Sequence, residues 1–208
     1  MLKIEHVKVY DLKESVIACR NAMRLQVPEY TDEDFEKSLE RAKKLVQASK
    51  NSEVKCHDNF LTGIRVSFDV TYPQYWTPEF QRYHFADIVT SSSKMHRLAK
   101  MDLKKACNKY VDERLIAIEQ EKIDAYNADQ TYENFMEMIS NCPMGLQLFM
   151  RVSTNYKQLQ TIYHQRKHHK LKEWGNFCKF IESLPYFKEF ILGESSDSEF
   201  ISDIKTDE

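Results

Sequence analysis

Residues 162–174 read IYHQRKHHKLKEW, which sets His164, His168 and His169 among Arg166, Lys167, Lys170 and Lys172. Imidazoles and cations at this density can hold a metal, a nucleic acid or the phosphate of a small ligand. They can equally coat a solvated helix face. The metal reading is short of ligands. His164 and His168 stand four residues apart, on one face of a helix, but zinc takes three or four ligands and no HExxH pattern is present. Glu173 or Cys178 could complete such a site only by coincidence. For nucleic acid, Lys157 joins the four cations, with Tyr163 and Trp174 as stacking surfaces. Against it, Leu159, Ile162, Tyr163 and Leu171 mark the same stretch as packed on a core, and no nucleic-acid-binding motif frames it.

The elements that must position these groups are bounded by composition. The chain has 208 residues, 42% of them hydrophobic, enough for one sizeable core and a single domain over residues 1–193. Only four glycines and five prolines interrupt it, which favours long helices. Net charge is −2, but residues 194–208, ESSDSEFISDIKTDE, hold six acids and one lysine. That tail, expected to be disordered, carries −5, so the body carries +3, which suits an anionic small ligand as well as a weak nucleic-acid surface. The five cysteines are scattered and form no CxxC pair, so reduced thiols and a cytoplasmic location are expected. The N-terminus has charges where a signal peptide needs an apolar block, and no apolar run is long enough to span a membrane.

Along the chain, residues 3–10, KIEHVKVY, alternate as an edge-like strand, with Ile4, His6 and Lys8 on one side and Val7 and Val9 on the other. Residues 13–24 fit a helix. Thr31 opens a stronger one, continued by Phe35, Leu39, Ala42 and Leu45 to about residue 49, with Asp32, Glu33 and Asp34 complementing its dipole. Residues 62–71 give a strand with Ile64, Val66, Phe68 and Val70 on one face. A short helix is expected at 78–86, a loop at 90–94 entering another helix, helices at 111–127 and 131–140, a strand at 146–155, and helices at 156–166 and 171–183. The strands do not alternate regularly with helices, so the fold class is α+β, an antiparallel or mixed sheet flanked by helices. No Gly-rich phosphate loop is present.

Three blocks of this pattern resemble the flavin-dependent thymidylate synthases. That family carries an R-H-R triplet, seven residues, then serine; here Arg82, Tyr83 and His84 are followed by seven residues and Ser92. Upstream, Cys56–His57, the strand around Phe68, and Pro73 fall at the family's distances before Arg82. Downstream, a strand runs into Asn155, Lys157, Leu159, Ile162, Arg166 and Trp174, the family's N-x-R-x-L-x-x-F-x-x-x-R frame with its later tryptophan, and Pro143 keeps its distance before Asn155. The blocks cover about residues 55–100 and 140–185.

The resemblance implies reductive methylation of dUMP, or a related pyrimidine nucleotide, with methylenetetrahydrofolate as carbon donor, reduced FAD as hydride source and NADPH as its reductant. It implies a homotetramer whose sites are shared between subunits. By position, His57, Asn59, Arg82, Tyr83, His84, Asn155, Lys157 and Thr161 would meet FAD. Glu79, Arg82, Ser92, Ser93 and Lys94 would hold the nucleotide, with Arg166 at the uracil edge as the catalytic cation. The chain departs from the pattern at Tyr83–His84 in the triplet, at Thr90 for an acid, at Lys94 for an arginine, and at Ile139 for an arginine before Pro143. Lysine keeps the charge but not the bidentate fork. Two alternatives stay open: a catalytically inactive nucleotide-binding module on the same scaffold, and a nucleic-acid-binding protein using the basic helix 156–172.

Overall fold

The computed structural model describes residues 2–51, residues 57–194 and the backbone of Ile204–Lys205. Four antiparallel strands, β1 (Lys3–Tyr10), β2 (Arg65–Pro73), β3 (Asp87–Ser91) and β4 (Gln147–Asn155), lie in the order β3-β4-β2-β1; Ile204–Lys205 (β5) pairs with the free edge of β1. Period-two alternation sets the faces. Val66, Phe68, Val70 and Tyr72 of β2 point inward, opposite Thr154, Val152, Met150 and Leu148 of β4, while Arg65, Ser67, Asp69 and Thr71 stay partly exposed. One face of the sheet is therefore core and the other carries polar groups, as antiparallel sheets permit.

The inner face is covered by α1 (Leu12–Ala18), α2 (Asp32–Asn51), α8 (Tyr156–Arg166) and α9 (Lys172–Ser183). Between the strands run α3 (Thr77–Phe80), α4 (Lys94–Arg97), α5 (Leu103–Ala106), α6 (Glu113–Ala128) and α7 (Tyr132–Ser140). α2 begins where expected: Thr31 Oγ1 accepts from the Asp34 amide at 3.1 Å. Its buried stripe is Phe35, Leu39, Ala42 and Val46, with Leu45 only half-buried. A second, smaller core collects Leu98, Leu103, Ile123, Met138 and Leu146 around α4–α7.

Several expectations are corrected. β1 does not alternate cleanly, because His6 adopts φ 52° and the pairing with β2 shifts between Glu5 and Lys8, so Ile4 and Val7 are both buried. The helix expected at 13–24 ends at Ala18 and is followed by a separate 3-10 turn, Asn21–Met23; Met23 is 83% exposed, so no burial rewards a further helical turn. The helix expected at 78–86 stops at Phe80 and continues as consecutive turns, Tyr83 N to Phe80 O at 3.1 Å and Ala86 N to Tyr83 O at 3.0 Å. In the segment read as a loop entering a helix at 90–94, Thr90 and Ser91 instead complete β3, while Ser92 and Ser93 lead into α4 as expected. Most of the acidic tail lies outside the described residues. Among the described residues no helix is long and apolar enough to cross a membrane.

Candidate functional site

α8 is the spine of the site. Asn155 caps it, accepting from the Gln158 amide at 2.9 Å, and Tyr156, Leu159, Ile162 and Tyr163 bury its core face. The opposite spacing, Gln158, Thr161 and Gln165, turns toward the loop after α3. That loop is tied at both ends: the Gln81 amide donates to the Thr77 carbonyl at 2.9 Å, and the Phe85 carbonyl accepts from Thr154 Oγ1 at 2.8 Å. Between the two surfaces lies a cavity of about 510 Å³ lined by Arg82, Tyr83, His84, Phe85, Gln158, Thr161, Gln165 and Arg166, a size that suits a small ligand.

Arg166 is held on every side but one. Its Nε donates to the Tyr83 hydroxyl at 2.7 Å and its Nη1 to Glu79 Oε2 at 3.0 Å. The guanidinium carbon lies 4.6 Å from the Trp174 ring centroid and 5.6 Å from that of Tyr83, within cation–π range. Nη2 has no hydrogen-bond or ion-pair partner among the described residues, and Arg166 lines the cavity. Glu79 Oε2 also accepts from Trp174 Nε1 at 2.6 Å, and His169 Nε2 stands 3.6 Å away. His169 Nδ1 accepts from the Leu171 amide at 3.2 Å, which leaves the ring proton on Nε2, toward Glu79. Trp174 in turn packs against Trp76 at 4.7 Å, and Trp76 stacks on Phe80 at 4.8 Å. A wholly buried aromatic cluster thus fixes the polar groups from behind.

The remaining expected site residues fall elsewhere in this single chain. Ser92 exchanges bonds with Phe149 of β4, accepting from its amide at 3.0 Å and donating its own amide at 2.8 Å. Ser93 caps α4 through the His96 amide, and Lys94 Nζ donates to the Ile139 carbonyl at 3.4 Å. None of the three lines the Arg166 cavity. His57 and Asn59 lie on a separate hollow of about 420 Å³ beside α1, and Lys157 is ion-paired with buried Asp58 between them. Gln158 and Gln165 went unnamed in the sequence, and His169 was named only as part of the basic cluster. The i, i+3, i+7 spacing of Gln158, Thr161 and Gln165 was the available signal for the first two.

The basic cluster resolves into distinct roles. Arg166 points inward, while Lys167, His168 and Lys170 are exposed. Burial, then Lys50 and Lys167, lowers the pKa of His164, which keeps it neutral at pH 7. Among the described residues no three metal-ligating side chains converge. The described cysteines are free thiols. Burial pushes Cys19 and Cys142 up to about 11 and Cys178 to about 12, and raises Cys107 as well, so none offers a ready thiolate at neutral pH.

The sequence matches no protein-family model and no curated protein. Solved structures do match. A flavin-dependent thymidylate synthase, ThyX, from Helicobacter pylori, complexed with FAD and dUMP, superposes with a TM-score of 0.64 at 17% identity, covering 91% of this chain and 97% of that one. The fold is that of ThyX. A second Helicobacter pylori ThyX structure, with FAD and dUMP, gives a TM-score of 0.63 at 16% identity over 92% of this chain and 97% of that one. PolB, a UMP/dUMP methylase from Streptomyces cacaoi bound with 5-Br dUMP, gives 0.60 at 10% identity over 91% of both chains. At these identities the likeness to ThyX and PolB establishes architecture alone, and function rests on the side chains.

Proposed function

We propose that the protein binds a pyrimidine nucleotide in the Arg166 cavity and methylates it reductively, acting on dUMP or a close relative. The observation that carries this reading is the guanidinium of Arg166, fixed by Glu79, Tyr83 and Trp174 with one nitrogen left for a ligand. A cation fixed in place stabilises charge developing on a pyrimidine carbonyl without reorganising. The wall also fits a flat heteroaromatic ring with a polar rim: Tyr83 and Phe85 supply aromatic surface, and Arg82, His84, Thr161 and Gln165 supply polar contacts. FAD suits that wall, and when bound it supplies the hydride; methylenetetrahydrofolate would bring the carbon and NADPH would reduce the flavin. Without a ready thiolate among the described cysteines, the residues' part is to orient the pyrimidine, polarise it and exclude water. Ser92, Ser93 and Lys94 would act on the nucleotide phosphate in the cavity of a neighbouring subunit of a homotetramer, and His57 and Asn59 would likewise reach FAD.

The test is the visible spectrum of the purified protein with an FAD titration, followed by dTMP formation from dUMP with methylenetetrahydrofolate and NADPH. Flavin binding at micromolar FAD and product formation are expected; no flavin binding ends the enzymatic reading. One observation favours the second reading, a nucleotide-binding module without turnover: Lys94 is turned onto the Ile139 carbonyl, where the resemblance expects two arginines. Binding of dUMP without methylation would identify it.

A further inference from the structure

A larger cavity, of about 640 Å³, opens between the end of α1 and one face of α2, and it shares no lining residue with the Arg166 cavity. Lys37, Arg41 and Lys44 reach it from α2 at spacings of four and three, on one helix face, and Arg20 reaches it from the turn after α1. Neighbouring like charges at these spacings destabilise a helix, and little on the wall offsets them. Glu40, the one carboxylate among the described lining residues, is bonded to Lys43 at 3.0 Å. Lys37 is taken by Glu33. Arg41 and Lys44 have no hydrogen-bond or ion-pair partner among the described residues.

The Arg20 guanidinium makes the same point independently. Its Nη1 is buried with no hydrogen-bond partner. It is ion-paired with Asp34 Oδ1 at 3.9 Å, beyond hydrogen-bond length, and the same carboxylate bonds Arg24 at 3.1 Å through Oδ2. A buried donor without an acceptor is costly. Two arginine forks with a lysine between two elements match several phosphate oxygens, not one. Ala22, Met23 and Leu45 add apolar surface to the same wall, so the fitting ligand joins a polyanionic head to a less polar body.

The geometry points to a binding site for the pyrophosphate group of a nucleotide, held by Arg20, Arg41 and Lys44 apart from the Arg166 cavity. Two sources share that chemistry. A nucleoside diphosphate would occupy this cavity alone, whereas a dinucleotide could run past His57, which lines both this cavity and the adjoining smaller hollow. The inference does not depend on the methylation reading.

The test is calorimetric titration of the full chain with inorganic pyrophosphate, at low salt and at physiological salt, with ADP and FAD as competitors. We expect binding that weakens with salt, falls at least tenfold in the Arg41→Ala/Lys44→Ala double variant, and is unchanged in Arg82→Ala. Both altered positions of the double variant are exposed on α2, and a thermal melt matching the unaltered chain confirms that it folds. Competition by ADP assigns the site to a nucleoside diphosphate; competition by FAD alone assigns it to a dinucleotide. No pyrophosphate binding, equal binding by the double variant, or an equal loss in Arg82→Ala overturns the inference.

Discussion

The surroundings of Arg166 and of Lys94 make opposite use of charge. Around Arg166, side chains meet side chains and one guanidinium nitrogen is left over: Glu79 is met by Trp174 and Arg166, Tyr83 by Arg166 and Gln165. Around Lys94, the side chains serve the backbone instead. Ser92 bonds Phe149, Ser93 caps α4 and Lys94 meets a carbonyl. The acid nearby, Glu119 of α6, is fully buried with both oxygens unpartnered. Burial pushes its carboxyl up to about 7, with Lys94 opposing. The first region is organised before any ligand arrives. The second holds unmet polarity and gains from a change of protonation.

The comparison can be broken in order of effect. Trp174→Ala should cost about 3–5 kcal/mol in a denaturant titration, because it empties a wholly buried aromatic site and strips Glu79 of a donor; a loss under about 1 kcal/mol would deny that the aromatic cluster supports the site. Arg166→Ala should weaken dUMP binding about 10- to 100-fold, and Lys94→Ala should weaken it less, as measured by calorimetry on both variants. For Glu119 the folded pKa is raised, so the folded state holds the proton more tightly than the unfolded chain. Stability should therefore decline as pH rises from about 4.5 to about 7, by about 1–3 kcal/mol, and level off above. Glu119→Gln should flatten that decline in melts across the same range. Asn155→Ala should cost about 1 kcal/mol by removing the α8 cap, read by the same melts.

The sheet interior was legible because Val66, Phe68 and Val70 repeat with the period of a strand whose one face is buried. β3 was not, since Asp87, Thr90 and Ser91 of this edge strand are exposed and read as turn residues. The face change in β1 hangs on the backbone of one residue, His6, which no periodicity encodes. The second core was missed because Leu98, Leu103, Ile123, Met138 and Leu146 come from separate short elements. The resemblance placed Arg82, Tyr83, His84 and Thr161 beside FAD and Arg166 at the uracil edge, and one cavity collects them. It said nothing of Gln165, whose partner Tyr83 lies 82 residues away. Nor did it give the partners of Lys157 and Lys94, which depend on where Asp58 and Ile139 arrive in space.

The Tyr83 hydroxyl accepts from Arg166 and so must spend its single proton on Gln165 Oε1, 3.1 Å away. That choice orients the amide: its oxygen is turned back to the protein and its NH₂ is left to the cavity. With the spare nitrogen of Arg166 beside it, this stretch of wall displays hydrogen-bond donors only. Such a stretch of wall favours a ligand edge that presents hydrogen-bond acceptors.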